Sequence, residues 1–86
     1  MRAIDDSSPK YAAVMRELLI WKQLPESDVS HLVTNYFLVT DDFREMEDQW
    51  LLTMNFVGDE YVLIPTTYGR LWLEQYESEH REENAV

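Results

Sequence analysis

The sequence predicts an α+β chain, mainly α: three helices, a β-hairpin and a closing helix. Three observations carry that prediction. Apolar residues recur at helical spacing over 10–23, 26–36 and 43–50. Over 52–56 the spacing changes to alternation, Leu52, Met54 and Phe56 against Thr53 and Asn55. Helical spacing then returns at Tyr68, Leu71, Trp72 and Tyr76.

In chain order, residues 1–8 are polar and are expected to be frayed, with 1–9 a flexible N-terminus. Ser8 and Pro9 open the first helix, because serine caps and proline is tolerated in the first turn. Tyr11, Val14, Met15, Leu18 and Trp21 form its buried stripe, and Ala12, Ala13, Leu19 and Ile20 widen it. Leu24 and Pro25 end it, since the residue before a proline leaves the α region. A second helix is predicted from Glu26 to Asn35 or Tyr36 on the spacing of Val29, Leu32, Val33 and Tyr36. Residues 37–39 break the rhythm as a short extended connection. Thr40 caps a third helix, with Asp41 and Asp42 in the first turn, where carboxylates suit the helix dipole. Phe43, Met46 and Trp50 share its inner face, leaving Asp41, Asp42, Arg44, Glu45 and Asp48 outward. Residues 57–60 make the hairpin turn, 61–64 the return strand, and Pro65 ends it. The last helix starts near Thr66 or Thr67 and runs past Tyr76 into an exposed acidic tail, 77–86.

The 86 residues carry 17 acids and 7 bases, a formal charge of −10. Residues 1–40 hold five acids and four bases, net −1, and residues 41–86 hold twelve acids and three bases, net −9. Two blocks, 41–48 and 74–86, are −4 each. The balance argues against ordinary phosphate-backbone binding, which needs clustered Lys and Arg. With no cysteine there is no disulfide framework, thiolate metal site or cysteine nucleophile. The length suits a single domain. No run approaches the ~18 apolar residues of a membrane span, and the first residues do not read as a signal peptide; a soluble, cytoplasmic protein is expected.

Enzyme motifs are missing. There is no Gly-rich phosphate loop and no nucleophile elbow, and His31 has no catalytic partner at a motif spacing, so it reads as a surface histidine. Glu77, Glu79 and His80 lack a second histidine and do not read as a metal site. No enzyme activity, cofactor or metal is expected. Trp21, Trp50 and Trp72 are candidate binding hot spots, but all three lie on or beside apolar stripes and read first as core.

The order of elements and several residue strings resemble the winged helix-turn-helix family. Residues 43–52 resemble its recognition helix running into the first wing strand, with Trp50, Leu51 and Leu52 at the exit. Residues 55–60 resemble a wing tip. Thr66, Thr67, Tyr68, Gly69 and Arg70 resemble the return strand and helix start of small winged-helix regulators, and 71–76 the closing helix that often dimerises. The resemblance spans about residues 10–76. It departs from the family at Pro65, where an apolar strand residue is usual, and in the sign of its third helix. In DNA-binding members that helix meets phosphates and base edges; here Asp41, Asp42, Glu45 and Asp48, with Asp59 and Glu60 on the wing, would repel them.

The expectation is therefore an acidic winged-helix protein that binds the basic surface of another protein through Asp41, Asp42, Glu45, Asp48, Asp59 and Glu60. An inhibitor of a nucleic-acid-binding protein, presenting carboxylates in place of phosphates, is its most concrete form. Leu19, Ile20, Trp72 and Tyr76 are the expected dimer seam. Two other readings stay open: a DNA-binding regulator, including one from a salt-loving organism whose proteins are all acidic, and a dimerisation module of a larger assembly. A capped, solvated helix face would also account for Asp41 and Asp42.

Overall fold

The computed structural model describes residues 7–84; the expectations for residues 1–6 and 85–86 lie outside that range. The elements run α1 (Ser8–Trp21), β1 (Leu24–Pro25), α2 (Glu26–Leu32), α3 (Thr40–Asp48), β2 (Leu52–Val57), β3 (Glu60–Pro65) and α4 (Thr67–Asn84). The fold is α+β and mainly helical: four helices and a small three-stranded antiparallel sheet in the order β1-β3-β2. This order is compatible with a winged-helix arrangement. Among the described residues no helix is long and apolar enough to cross a membrane.

The α1 stripe packs as its spacing requires, with Tyr11, Ala12, Val14, Met15 and Leu18 all buried. The helix begins one residue earlier than expected: Ser7 takes the cap position and Pro9 falls in the first turn. It stops where Lys22, at φ +79°, donates its backbone N–H to Leu18 O at 2.8 Å. Trp21 therefore corrects the expectation of a buried tryptophan. It stands at the turn-off point and is 56% exposed.

Leu24 and Pro25 do more than end a helix. They pair with Leu63 and Val62 and make β3 the central strand. Proline is tolerated there because β1 is an edge. The helix α2 that follows ends at Leu32, several residues short of the predicted limit. Val33 turns into extended backbone and is buried beside Val29, while Leu32 is left exposed. The short 33–39 connection thus seats the core with Val33 and half-buried Leu38 rather than with a longer helix.

Helix α3 is anchored at both ends. Val39, not Thr40, is its cap residue, and its N–H donates to Asp42 Oδ2 at 2.9 Å. Phe43 and Met46 are fully buried. At the other end Trp50, at φ +68°, donates to Glu47 O at 2.9 Å and Leu51 donates to Met46 O at 3.0 Å. This pair of bonds is a Schellman ending. Leu51 and Leu52 then enter the core together. The hairpin closes through a two-residue loop, Gly58 and Asp59, with Val57 opposite Glu60. Gly58 has φ +66°, a value hairpin loops of this length favour at glycine.

Helix α4 is capped by Thr66, whose Oγ1 accepts the Gly69 N–H at 2.8 Å and lies 2.5 Å from Trp50 O. Gly69 is buried hard against the α3–β2 junction, and Leu73 joins the core. The helix continues past Tyr76 through Asn84, so the acidic end extends as helix over this range. Arg16 Nε and Glu77 Oε2, 2.6 Å apart, tie α4 to α1. Among the described residues no polar or charged residue is counted in the core.

Candidate functional site

Helix α3 has two unlike sides, and its amphipathic spacing decides which residue serves which. Phe43 and Met46 face the core. Asp41, Glu45 and Asp48 sit four and three residues apart, so they share one exposed stripe. Asp42 and Glu47 lie on its flanks and are half-buried.

These acids do different jobs. Asp42 is structural: besides capping Val39 it pairs with Lys10 Nζ at 3.0 Å, joining α3 to α1. Glu47 Oε2 accepts the Met54 N–H at 3.1 Å, on the outer edge of β2. Glu45, for which the sequence suggests no pairing role, accepts a hydrogen bond from the Tyr11 hydroxyl. Burial of the Tyr11 ring, together with that carboxylate, pushes the phenol up to about 12. The phenol therefore stays protonated, and a donor, at neutral pH. Asp41 and Asp48 are exposed.

The one base on α3 does not neutralise this stripe. The Arg44 guanidinium lies 5.7 Å from the centre of the Tyr61 ring, with Nη2 3.5 Å from the Tyr61 hydroxyl. It is thus drawn to the hairpin, where the Tyr61 ring also meets Phe56 edge-on at 5.0 Å. Its charge is used in a cation–π contact rather than against Asp41 or Asp48.

The two hairpin carboxylates separate. Asp59 is exposed in the loop. Glu60 is half-buried and folds back onto α2, where its Oε1 accepts the Ser27 N–H at 3.3 Å. The four residues expected as a dimer seam also separate: Ile20 is exposed, whereas Leu19, Trp72 and Tyr76 are partly buried against the protein's own core. Trp72 and Tyr76 stack on each other at 5.5 Å.

Trp50 is a functional candidate that sequence reasoning ranked as core. Its spacing from Phe43 and Met46 matches a continuing helix, but α3 ends at Asp48 and the indole is 74% exposed. The alternation that begins at Leu52, Met54 and Phe56 was the available signal, because a change of period so close to Trp50 leaves little room for the helix to continue. Trp50 also occupies the left-handed position after the helix, where glycine is strongly preferred. A non-glycine residue there costs roughly 1–2 kcal/mol. Trp50→Gly is therefore expected to be more stable than Trp50→Ala by about 1 kcal/mol in urea denaturation. That reverses the order found inside a helix. A more stable alanine variant would contradict the left-handed ending. At the hairpin end of β2, Phe56 and Val57 are also exposed.

The half-buried acid provides a second check. Asp42→Ala is expected to lower unfolding free energy by about 1–2 kcal/mol, through the lost cap and ion pair. Asp41→Ala, which loses only a dipole interaction, is expected to cost less than about 1 kcal/mol. Paired urea midpoints read the difference; equal losses would contradict the division between the two residues.

Among the described residues no group of three or more His, Asp or Glu side chains is placed to hold a metal. The geometry defines a class no narrower than a small α+β domain presenting an acidic helix stripe. Comparison of the chain with protein families, curated proteins and solved structures gives no match.

Proposed function

We propose that this is a non-enzymatic, winged-helix-like protein that acts by binding a basic protein surface through the exposed side of α3. The observation that carries the reading is the unneutralised stripe of Asp41, Glu45 and Asp48 on the helix whose only base, Arg44, is held by Tyr61. Electrostatic attraction would steer association, which slows as salt rises. Trp50, at the end of the same helix, supplies an exposed aromatic of the type that anchors interfaces. A nucleic-acid-binding protein is the partner whose basic site such a stripe best complements, and occupation of that site would block it.

The competing DNA-regulator reading requires a base-rich face on α3, and the cations near it are committed elsewhere: Lys10 to Asp42 and Arg44 to Tyr61. The two readings are separated by a fluorescence titration with mixed-sequence duplex at low and at moderate salt. The protein is expected to leave the duplex unbound at both. Tight binding at moderate salt would overturn the proposal, because it would require phosphate neutralisation that α3 does not supply.

A further inference from the structure

An open cleft of about 270 Å3 lies between the start of α2, the 38–40 segment leading into α3, and the start of β3. Its apolar wall includes Phe43, Leu38 and Val39; Glu26 and Glu60 line it from two different elements, and none of its lining residues is basic. One of these, Glu26, has its Oε2 buried with no hydrogen-bond partner. A desolvated carboxylate oxygen without a donor is costly, so a small turn of the Glu26 carboxylate toward a donor in the cleft would be favoured.

We infer that this cleft is a socket for one arginine side chain of the basic protein partner. The inference rests on the protein-binding reading above and adds a site outside the α3 stripe. The cleft is smaller than the ~300–1,000 Å3 usual for a small-molecule site, which favours a single side chain over a free ligand. Arginine fits its chemistry. A guanidinium has five N–H donors and no acceptor, which suits two carboxylates with the Ser30 and Thr40 hydroxyls on the same lining. It is also less strongly hydrated than an ammonium, so it enters a half-buried acidic site at lower cost. Its methylene stem packs along Phe43 and Leu38.

The test uses the isotope-labelled full chain, titrated with N-acetyl-arginine methylamide and with the citrulline analogue, a neutral isostere, while amide NMR signals are followed. Arginine is expected to give saturable shifts confined to the cleft, at Ser27, Ser30, Val39, Thr40 and Glu60. Citrulline should bind about tenfold more weakly, as should arginine to Glu26→Gln or Glu60→Gln, each having lost one charge-assisted contact. Ser30→Leu, which fills the rim without altering charge, should block binding, and D41K/D48K should leave it unchanged. Equal affinity for arginine and citrulline, shifts at Asp41 and Asp48 instead of the cleft, or indifference to both glutamine variants would overturn the socket. An arginine-rich protamine serves as the separate probe of the α3 stripe. Protamine binding lost in D41K/D48K, with no arginine response in the cleft, overturns the socket alone. A cleft response with protamine binding indifferent to D41K/D48K supports the socket and removes the stripe reading.

Discussion

Gly69→Ala is expected to destabilise the protein by about 3 kcal/mol, the upper part of the range for overpacking. In an ordinary helix the same change stabilises by about 1 kcal/mol. The sign reverses here because a Cβ at this position would stand 2.1 Å from Leu51 O and 2.7 Å from Met15 Cε. The methionine end can swing away, but the carbonyl is backbone. It also accepts the Thr66 N–H at 3.1 Å, so moving it disturbs the start of α4. For a domain of this size the loss corresponds to a Tm lower by roughly 12 °C or more. Thermal unfolding followed by circular dichroism reads it directly. An unchanged or higher Tm would mean that α4 does not sit against the α3–β2 junction as described.

Phe43→Ala is expected to cost about 3–5 kcal/mol, the usual range for emptying a fully buried aromatic position. The ring is 1% exposed and anchors α3 in the core. Small domains have only about 5–15 kcal/mol in total, so this variant should sit near its unfolding transition at room temperature. A large fall in urea midpoint is the expected result. A loss below about 1 kcal/mol would show that α3 is not held by this side chain. The inner face of α3 is thus expected to govern stability, with Phe43 also forming part of the cleft wall, and the outer stripe to govern electrostatic association.

Much of this architecture is legible in the sequence because it is local. The α1 stripe, the Phe43–Met46 pair, the alternation from Leu52 and the turn at Gly58 each follow from the period of one segment. The string Thr66 to Arg70 was legible as a resemblance, and its physical content is a cap at Thr66 and a close approach at Gly69. What was not legible depends on distant partners. β1 is two residues long and exists only because β3 lies beside it, so no period could announce it. α2 stops early because Val33 finds the core from extended backbone, which helical spacing alone does not reveal. Trp21 and Trp50 look like core by composition, yet each stands where the chain turns out of a helix, and the core is filled without them.

The acidic residues were legible as a cluster but not in their separate roles. Sequence spacing places Asp41, Asp42, Glu45 and Asp48 together on α3. It cannot show that Asp42 meets Lys10, that Glu45 meets Tyr11, or that Glu60 folds back onto Ser27. Those contacts join residues more than thirty positions apart. They narrow the useful charge reversals to Asp41 and Asp48. Reversing all four would disturb the cap and the tie to α1 along with any binding surface.

The most direct measurement is therefore the affinity of a protein retained from host extract by the immobilised chain, compared between wild type and D41K/D48K at low and high salt. Urea midpoints are taken on the same samples. The variant is expected to lose no more than about 1 kcal/mol of stability, mostly through the dipole at the start of α3. It should bind roughly a hundredfold more weakly at low salt, the effect of two reversed charges at about tenfold each, with the difference shrinking as salt rises. A folded D41K/D48K that binds as tightly as wild type would contradict the claim that the exposed stripe of α3 is the protein's working surface.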